Sequence, residues 1–173
     1  MQPTSSSSRI LQPVRPWYIL ITLLAALLLN FLPTSAWPWM PDWAALLLIF
    51  WSIREQRYVG MGSGFIFGLA MDVADSSLMG QHALAYVLAI YAASALSRRI
   101  LWFPLGQQAL HILPLLLLVQ LVQFGVRAMP GAILPGLSFF AGPFVGALLW
   151  LPLTFILLLP QYQPVDRDAN RPI

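Results

Sequence analysis

The chain of 173 residues contains no cysteine and no lysine, and only 9% of its residues are charged. Without cysteine, disulfides and thiolate chemistry are excluded. Soluble domains carry about a quarter charged residues, so this chain has too little charge to cover a soluble globule. Because 59% of the residues are apolar and the apolar runs are long enough to span lipid, we expect an integral membrane protein.

The chain also lacks the common motifs by which enzymes are found in a sequence. It has no phosphate-binding loop, no HExxH zinc motif and no dinucleotide glycine fingerprint. His82 and His111 form no metal pair, because no spacing on one helix brings them together. The rhomboid protease pattern needs a glycine two residues before the serine, and Met61 occupies that position before Ser63. We therefore expect no enzyme activity, no cofactor and no metal site, and the scattered arginines argue against nucleic-acid binding.

Six apolar segments, separated by polar or proline-rich breaks, predict an all-α fold: a polytopic membrane bundle of about six transmembrane helices. Their approximate bounds are 17–32, 43–53, 58–73, 78–96, 105–126 and 138–159. The second segment is short for a full span, so we expect it to be tilted, partly re-entrant or extended into the preceding loop. The predicted transmembrane domain covers 17–160, between a disordered N-terminus at 1–16 and a loose polar tail at 161–173.

Arginine distinguishes the two sides of the predicted bundle. With six spans, eight of the nine arginines fall on the side of the termini, and Arg127 alone falls on the other. The eight are Arg9, Arg15, Arg54, Arg57, Arg98, Arg99, Arg167 and Arg171. Because cytoplasmic loops are enriched in positive charge, we expect both termini in the cytoplasm and the 74–80 and 127–137 connections outside.

Asp72 is the least expected residue, because it lies within a segment that reads as a membrane helix. A carboxylate near membrane depth is costly unless it meets a partner, and it is interpreted first as functional. Gly60, Gly64 and Gly68 precede it at intervals of four residues. On a helix this spacing makes a smooth stripe where another helix backbone can approach closely.

Three further residues accompany Asp72 in a candidate functional polar site. Asp75 shares the helical face of Asp72, and His82 and Arg127 are the candidate partners of both acids. A structural alternative is that Asp75 caps segment four, while Asp72 accepts hydrogen bonds from backbone amides of the 74–80 turn.

Segment five is unusually polar for a membrane helix, because it contains four glutamines. Gln120 and Gln123 are three residues apart and share a face. We expect them to hydrogen-bond to a neighbouring helix, with a substrate pathway as the alternative.

The region from Gly64 to Leu84 resembles a family signature. It reads GFIFGLAMD and then LMGQHAL, and the rod shape-determining MreD family has G-F-x-x-G-L-x-x-D, a serine-bearing turn and L-G-x-x-A-L. Chain length, span number, the Pro-Asp-Trp before segment two and the arginine pair after segment four agree as well. The turn here contains Asp-Ser-Ser, where relatives often have Ser-Gly-Ser. The motif carries over to Gly64, Phe65, Gly68, Leu69, Asp72, Gly80, Ala83 and Leu84.

The resemblance implies a non-catalytic inner-membrane subunit of the bacterial elongasome. Its partners would be MreC, the other elongasome proteins MreB, RodA and a class B penicillin-binding protein, and membrane lipid. The implied role is a scaffold that maintains rod shape, with Gly60, Gly64, Gly68 and Gly80 in helix packing or partner contact. The family is also similar in architecture to the S-components of energy-coupling-factor transporters. A small-molecule-binding transporter subunit is therefore the alternative function.

Overall fold

In the computed structural model, residues 14–32, 39–129 and 136–161 are described, and these ranges contain six α-helices and no strand. Short 3-10 turns flank the last helix, and the prediction of an all-α membrane helix bundle is confirmed. The predicted disordered N-terminus and polar tail lie almost entirely outside the described residues, as do Arg9, Arg167 and Arg171. The helices are α1 Pro16–Phe31, α2 Trp43–Arg54, α3 Met61–Ala74, α4 Gln81–Trp102, α5 Leu105–Ala128 and α6 Ala141–Leu158.

The six helices differ in length relative to a membrane. Three helical stretches are long and apolar enough to cross it, namely Gln81–Trp102, Leu105–Ala128 and Ser138–Gln161. The helices α1, α2 and α3 are apolar but shorter. At a rise of 1.5 Å per residue, α2 extends only about 18 Å, against about 30 Å for the hydrocarbon core. Helix α2 by itself therefore covers only part of that depth.

Helix α2 forms the centre of the bundle. Every residue from Ala44 to Ile53 is buried, which fits a helix that is apolar on all sides. The indole nitrogen of Trp51 donates a hydrogen bond to the Thr22 hydroxyl of α1 at 2.9 Å. On another side, the ring of Phe50 lies 5.4 Å from that of Trp150 in α6. Protein, rather than lipid, therefore surrounds α2 along most of its length.

Helix α4 begins and ends later than the sequence predicted. Gly80 has a φ of +95°, in the left-handed region that favours glycine, and the helix starts at the next residue rather than at Leu78. At the other end, the helix continues past the exposed Arg98 and Arg99 to Trp102. Exposed arginines do not terminate a helix, whereas Pro104 disfavours helical backbone in the residue before it.

Successive helices run in opposite directions, so the C-terminal ends of α1, α3 and α5 meet the N-terminal ends of α2, α4 and α6. Side-chain contacts show this directly: Asn30 and Tyr86 both bond Asp42, and Arg127 bonds Gln81. We call this the polar end of the bundle. It brings the sequence-predicted polar residues into one neighbourhood.

Candidate functional site

Two glycines bring α3 against α4. A Cβ added at Gly68 would lie 2.5 Å from the backbone nitrogen of Ala83 and 2.8 Å from the carbonyl carbon of His82. A Cβ added at Gly64 would lie 2.5 Å from Cδ1 of Ile90. Protein atoms do not pack this closely, so only glycine fits at these positions without a shift of its neighbours.

Gly60 and Gly80 do not take part in this contact, although the sequence assigned them to helix packing. A Cβ at either position would meet no described atom within 4 Å. Gly60 is the N-cap of α3, and its backbone N–H donates to the Ser63 hydroxyl at 3.1 Å. Gly80 is needed for its backbone conformation, which turns the chain into α4. Sequence spacing alone cannot separate these roles from packing.

Hydrogen-bond donors surround the carboxylate of Asp72, and the residue as a whole is 1% exposed. Its Oδ1 accepts hydrogen bonds from the Ser77 hydroxyl at 3.0 Å and from the backbone N–H of His82 at 2.7 Å. Its Oδ2 accepts from the backbone N–H of Gly80 at 2.8 Å. These charge-assisted bonds, at the N-terminal end of α4, offset the cost of burying the carboxylate. Asp72 therefore ties α3 to the following turn and to α4.

His82 lies between two carboxylates. Its Nδ1 is 2.9 Å from Oδ1 of Asp72, and its Nε2 is 3.5 Å from Oδ2 of Asp75. Partial burial raises the pKa of Asp75; His82 and Arg127 oppose the rise, whereas Asp42 adds to it. Asp75 does not cap α4, because Gly80 is the N-cap and Asp75 is the C-cap of α3. That part of the structural alternative is wrong.

Arg127 lies at the edge of this cluster and bonds a different residue from those expected. Its Nε donates to Oε1 of Gln81 at 3.3 Å, and its guanidinium lies 5.6 Å from the centre of the Phe139 ring. It thereby links α5 to α4 and to the turn before α6. The structure therefore joins Asp72, Asp75 and His82 by short contacts and places Arg127 beside them.

A third carboxylate, that of Asp42, was not singled out from the sequence as a site residue. It caps α2 by accepting from the Ala45 N–H at 3.0 Å, and it accepts from the buried Tyr86 hydroxyl at 2.8 Å and from the Asn30 amide at 2.8 Å. Asn30 in turn accepts from the Trp43 N–H at 2.9 Å. An aspartate just before an apolar helix is an N-cap signal, and an asparagine in an apolar segment is a signal of a polar contact.

A cavity of about 180 Å³ opens at the polar end. It is smaller than the roughly 300–1,000 Å³ of pockets for drug-sized ligands, so it suits a small polar group. Among the residues in the described ranges, no three His, Asp or Glu side chains are placed to hold a metal ion. The polar lining includes Asn30, Asp42, Asp75, His82, Gln123 and Arg127.

Comparison with known proteins agrees with the motif around Asp72. A sequence model of the rod shape-determining protein MreD family matches residues 8–160, a range that includes all six helices and the polar end. The rod shape-determining protein MreD of Haemophilus influenzae is 29% identical over 127 residues, which cover 68% of this chain and 72% of that protein. No solved structure matches. The chain belongs to the rod shape-determining protein MreD family.

Proposed function

We propose that the chain is a non-catalytic subunit of the bacterial elongasome that scaffolds MreC and the wall-synthesis machinery. In this proposal it spans the inner membrane six times, with both termini in the cytoplasm, and helps to maintain rod shape. The machinery comprises MreB, RodA and a class B penicillin-binding protein. One observation carries the non-catalytic reading: Asp72, the costliest polar group, directs both carboxylate oxygens at donors of its own chain.

The geometry around Ser77 favours a structural role over nucleophilic catalysis. Its hydroxyl lies 3.3 Å from Nδ1 of His82 and donates to Asp72, which contacts the same ring nitrogen. In a Ser-His-Asp triad the serine and the aspartate contact opposite nitrogens of the ring, so that one nitrogen takes the serine proton while the other donates to the aspartate. Here both groups compete for one nitrogen. The arrangement is suited to fixing a turn.

The proposed topology is supported by where the described arginines lie. Five of them belong to the end opposite the polar end, because α1 and α3 begin there and α2 and α4 end there. Arg127 is at the polar end. By the positive-inside rule the polar end faces outward. The five are Arg15, Arg54, Arg57, Arg98 and Arg99.

A transporter subunit that binds a small molecule is the second candidate, and the polar cavity is the observation that favours it. Its volume of about 180 Å³ argues against a vitamin-sized substrate, since such ligands occupy pockets of roughly 300–1,000 Å³. The scaffold is therefore the better-supported reading.

Depletion and complementation test the two candidates. The host protein of this family is depleted in a rod-shaped bacterium, and the chain is expressed with an affinity tag. We expect recovery of rod shape, co-purification of MreC and unchanged vitamin uptake. Round cells despite normal membrane abundance of the chain, together with altered vitamin uptake, would favour the transporter subunit and contradict the scaffold.

A further inference from the structure

The polar end brings charged groups of both signs together among its described residues. Three carboxylates, those of Asp42, Asp72 and Asp75, lie at or directly behind the cavity wall. The described groups that can oppose them there are Arg127 and His82. The cavity therefore presents carboxylates that would attract an ammonium group and, at Arg127, a guanidinium that would attract an anionic group.

The cavity lining also contains polar atoms that no described residue pairs. Gln120 is 8% exposed and Gln123 is 4% exposed, and both line the cavity. Gln120 Oε1 has no donor, and Gln123 Nε2 and Trp43 Nε1 have no acceptor, in the described part of the chain. Buried polar atoms are almost always paired with protein, water or ligand. A ligand that both donates and accepts hydrogen bonds would satisfy this set.

We propose that the cavity binds the phosphoethanolamine group, a small zwitterion with a primary ammonium and an anionic phosphate. The ammonium would lie against Asp42 and Asp75, and the phosphate would face Arg127. The group fits a cavity of about 180 Å³, which is too small for a drug-sized ligand. Its source is either a lipid headgroup or a soluble compound. This inference does not depend on the scaffold role, and binding is measured separately from cell shape.

The first test compares soluble probes on the wild-type chain. Binding of O-phosphoethanolamine and of phosphocholine to the full-length protein in detergent is followed by titration calorimetry. Phosphocholine keeps both charges, but its methyl groups remove the N–H donors. We expect it to bind at least about tenfold more weakly, because bonds between charged donors and carboxylates would be lost. If both probes bind measurably and with equal affinity, the proposed recognition of a primary ammonium is wrong.

Variants then place the binding in the cavity. Asp75→Asn and Arg127→Gln should each weaken the binding of O-phosphoethanolamine by about tenfold, since each removes one charged contact. Glu55→Gln and Arg98→Gln are the matched controls, because they make the same changes of charge at the opposite end of the bundle. Unchanged binding in both cavity variants would place the probe elsewhere and overturn the assignment. If either variant fails to fold, the wild-type comparison of probes remains decisive.

An experiment with lipids distinguishes a lipid headgroup from a soluble compound as the source of the ligand. Native mass spectrometry of the chain released from nanodiscs compares retained phosphatidylethanolamine with retained phosphatidylcholine. Preferential retention of phosphatidylethanolamine, lost in Asp75→Asn, identifies the headgroup as the ligand even if the soluble probe binds weakly. Binding of O-phosphoethanolamine without lipid preference identifies a soluble ligand. If neither the soluble probe nor the lipid is preferred over its choline counterpart, the cavity holds water only and the proposal is wrong.

Discussion

Substitution of Gly68 by alanine tests how α3 packs against α4. The added Cβ would lie 2.5 Å from the backbone nitrogen of Ala83 and 2.8 Å from the carbonyl carbon of His82. Backbone atoms cannot rotate away as a flexible side chain can, so the two helices must separate. The same movement would disturb the N–H of His82, which bonds Asp72 at 2.7 Å. The strain therefore reaches the polar end.

Two opposing effects determine how much Gly68→Ala changes the free energy of unfolding. Overpacking of a well-packed contact costs about 1–3 kcal/mol, whereas glycine to alanine within a helix contributes up to about 1 kcal/mol of stability. For Gly68→Ala we expect a net loss of about 1–2 kcal/mol. Gly64→Ala should cost less, because its nearest neighbour is the end of the Ile90 side chain, which can change rotamer. Gly62→Ala is the control, since its Cβ would meet no described atom within 4 Å.

The assay is equilibrium unfolding of the purified chain in mixed detergent micelles, followed by tryptophan fluorescence and circular dichroism. The expected order of unfolding free energy is Gly62→Ala at or above wild type, then Gly64→Ala, and Gly68→Ala lowest. If Gly68→Ala is as stable as Gly62→Ala, α3 does not approach the start of α4 as closely as described, and glycine is not needed at position 68.

Three further predictions concern the membrane topology, the hydrogen bonds of Asp42 and the turn at Gly80 before α4. Alkaline phosphatase fused after Gly131 should be active and fused after Phe103 inactive, because the polar end is proposed to face outward; the reverse activities would refute the six-span topology. Asp42→Ala should lower the unfolding free energy by about 2–4 kcal/mol, because α2 loses its N-cap and the buried Tyr86 hydroxyl loses its acceptor. If the loss is no greater than that caused by Tyr86→Phe, the N-cap role of Asp42 is wrong. Gly80→Ala should cost about 1–2 kcal/mol for its φ of +95°, and a neutral result would contradict that backbone conformation.

Part of the fold could be predicted because local patterns are sufficient for it. Apolar runs bounded by proline and arginine identify six helices, and their predicted bounds lie within three residues of those observed, except that α4 ends six residues later than predicted. The four-residue spacing of Gly64 and Gly68 also indicates a close helix contact, since side chains four apart share a face. The partner helix, α4, follows in sequence after a short turn.

The rest could not be predicted, because it depends on tertiary position. An apolar helix of this length has the same pattern whether lipid or protein surrounds it, so the central place of α2 was not visible. Tyr86 reads as one more aromatic residue in an apolar helix, yet it is 1% exposed and bonds Asp42. Gly60 has the same spacing as the packing glycines but is an N-cap. The sequence contains no signal that separates these cases.

We infer that Asp72 serves this protein by holding its fold together rather than by acting on a substrate. Both carboxylate oxygens accept backbone N–H bonds, from Gly80 and from His82. Asp72→Asn replaces one oxygen with a group that cannot accept, so one buried N–H loses its partner at a cost of about 1–3 kcal/mol.

The most direct measurement compares rod-shape recovery with the amount of folded protein in the membrane, over a range of expression levels, in depleted cells. For Asp72→Asn, we expect less folded protein at each expression level. We also expect rod-shape recovery, plotted against the amount of folded protein, to follow the wild-type curve. If Asp72→Asn reaches wild-type levels of folded protein while the cells stay round, the carboxylate acts directly and the structural account is contradicted.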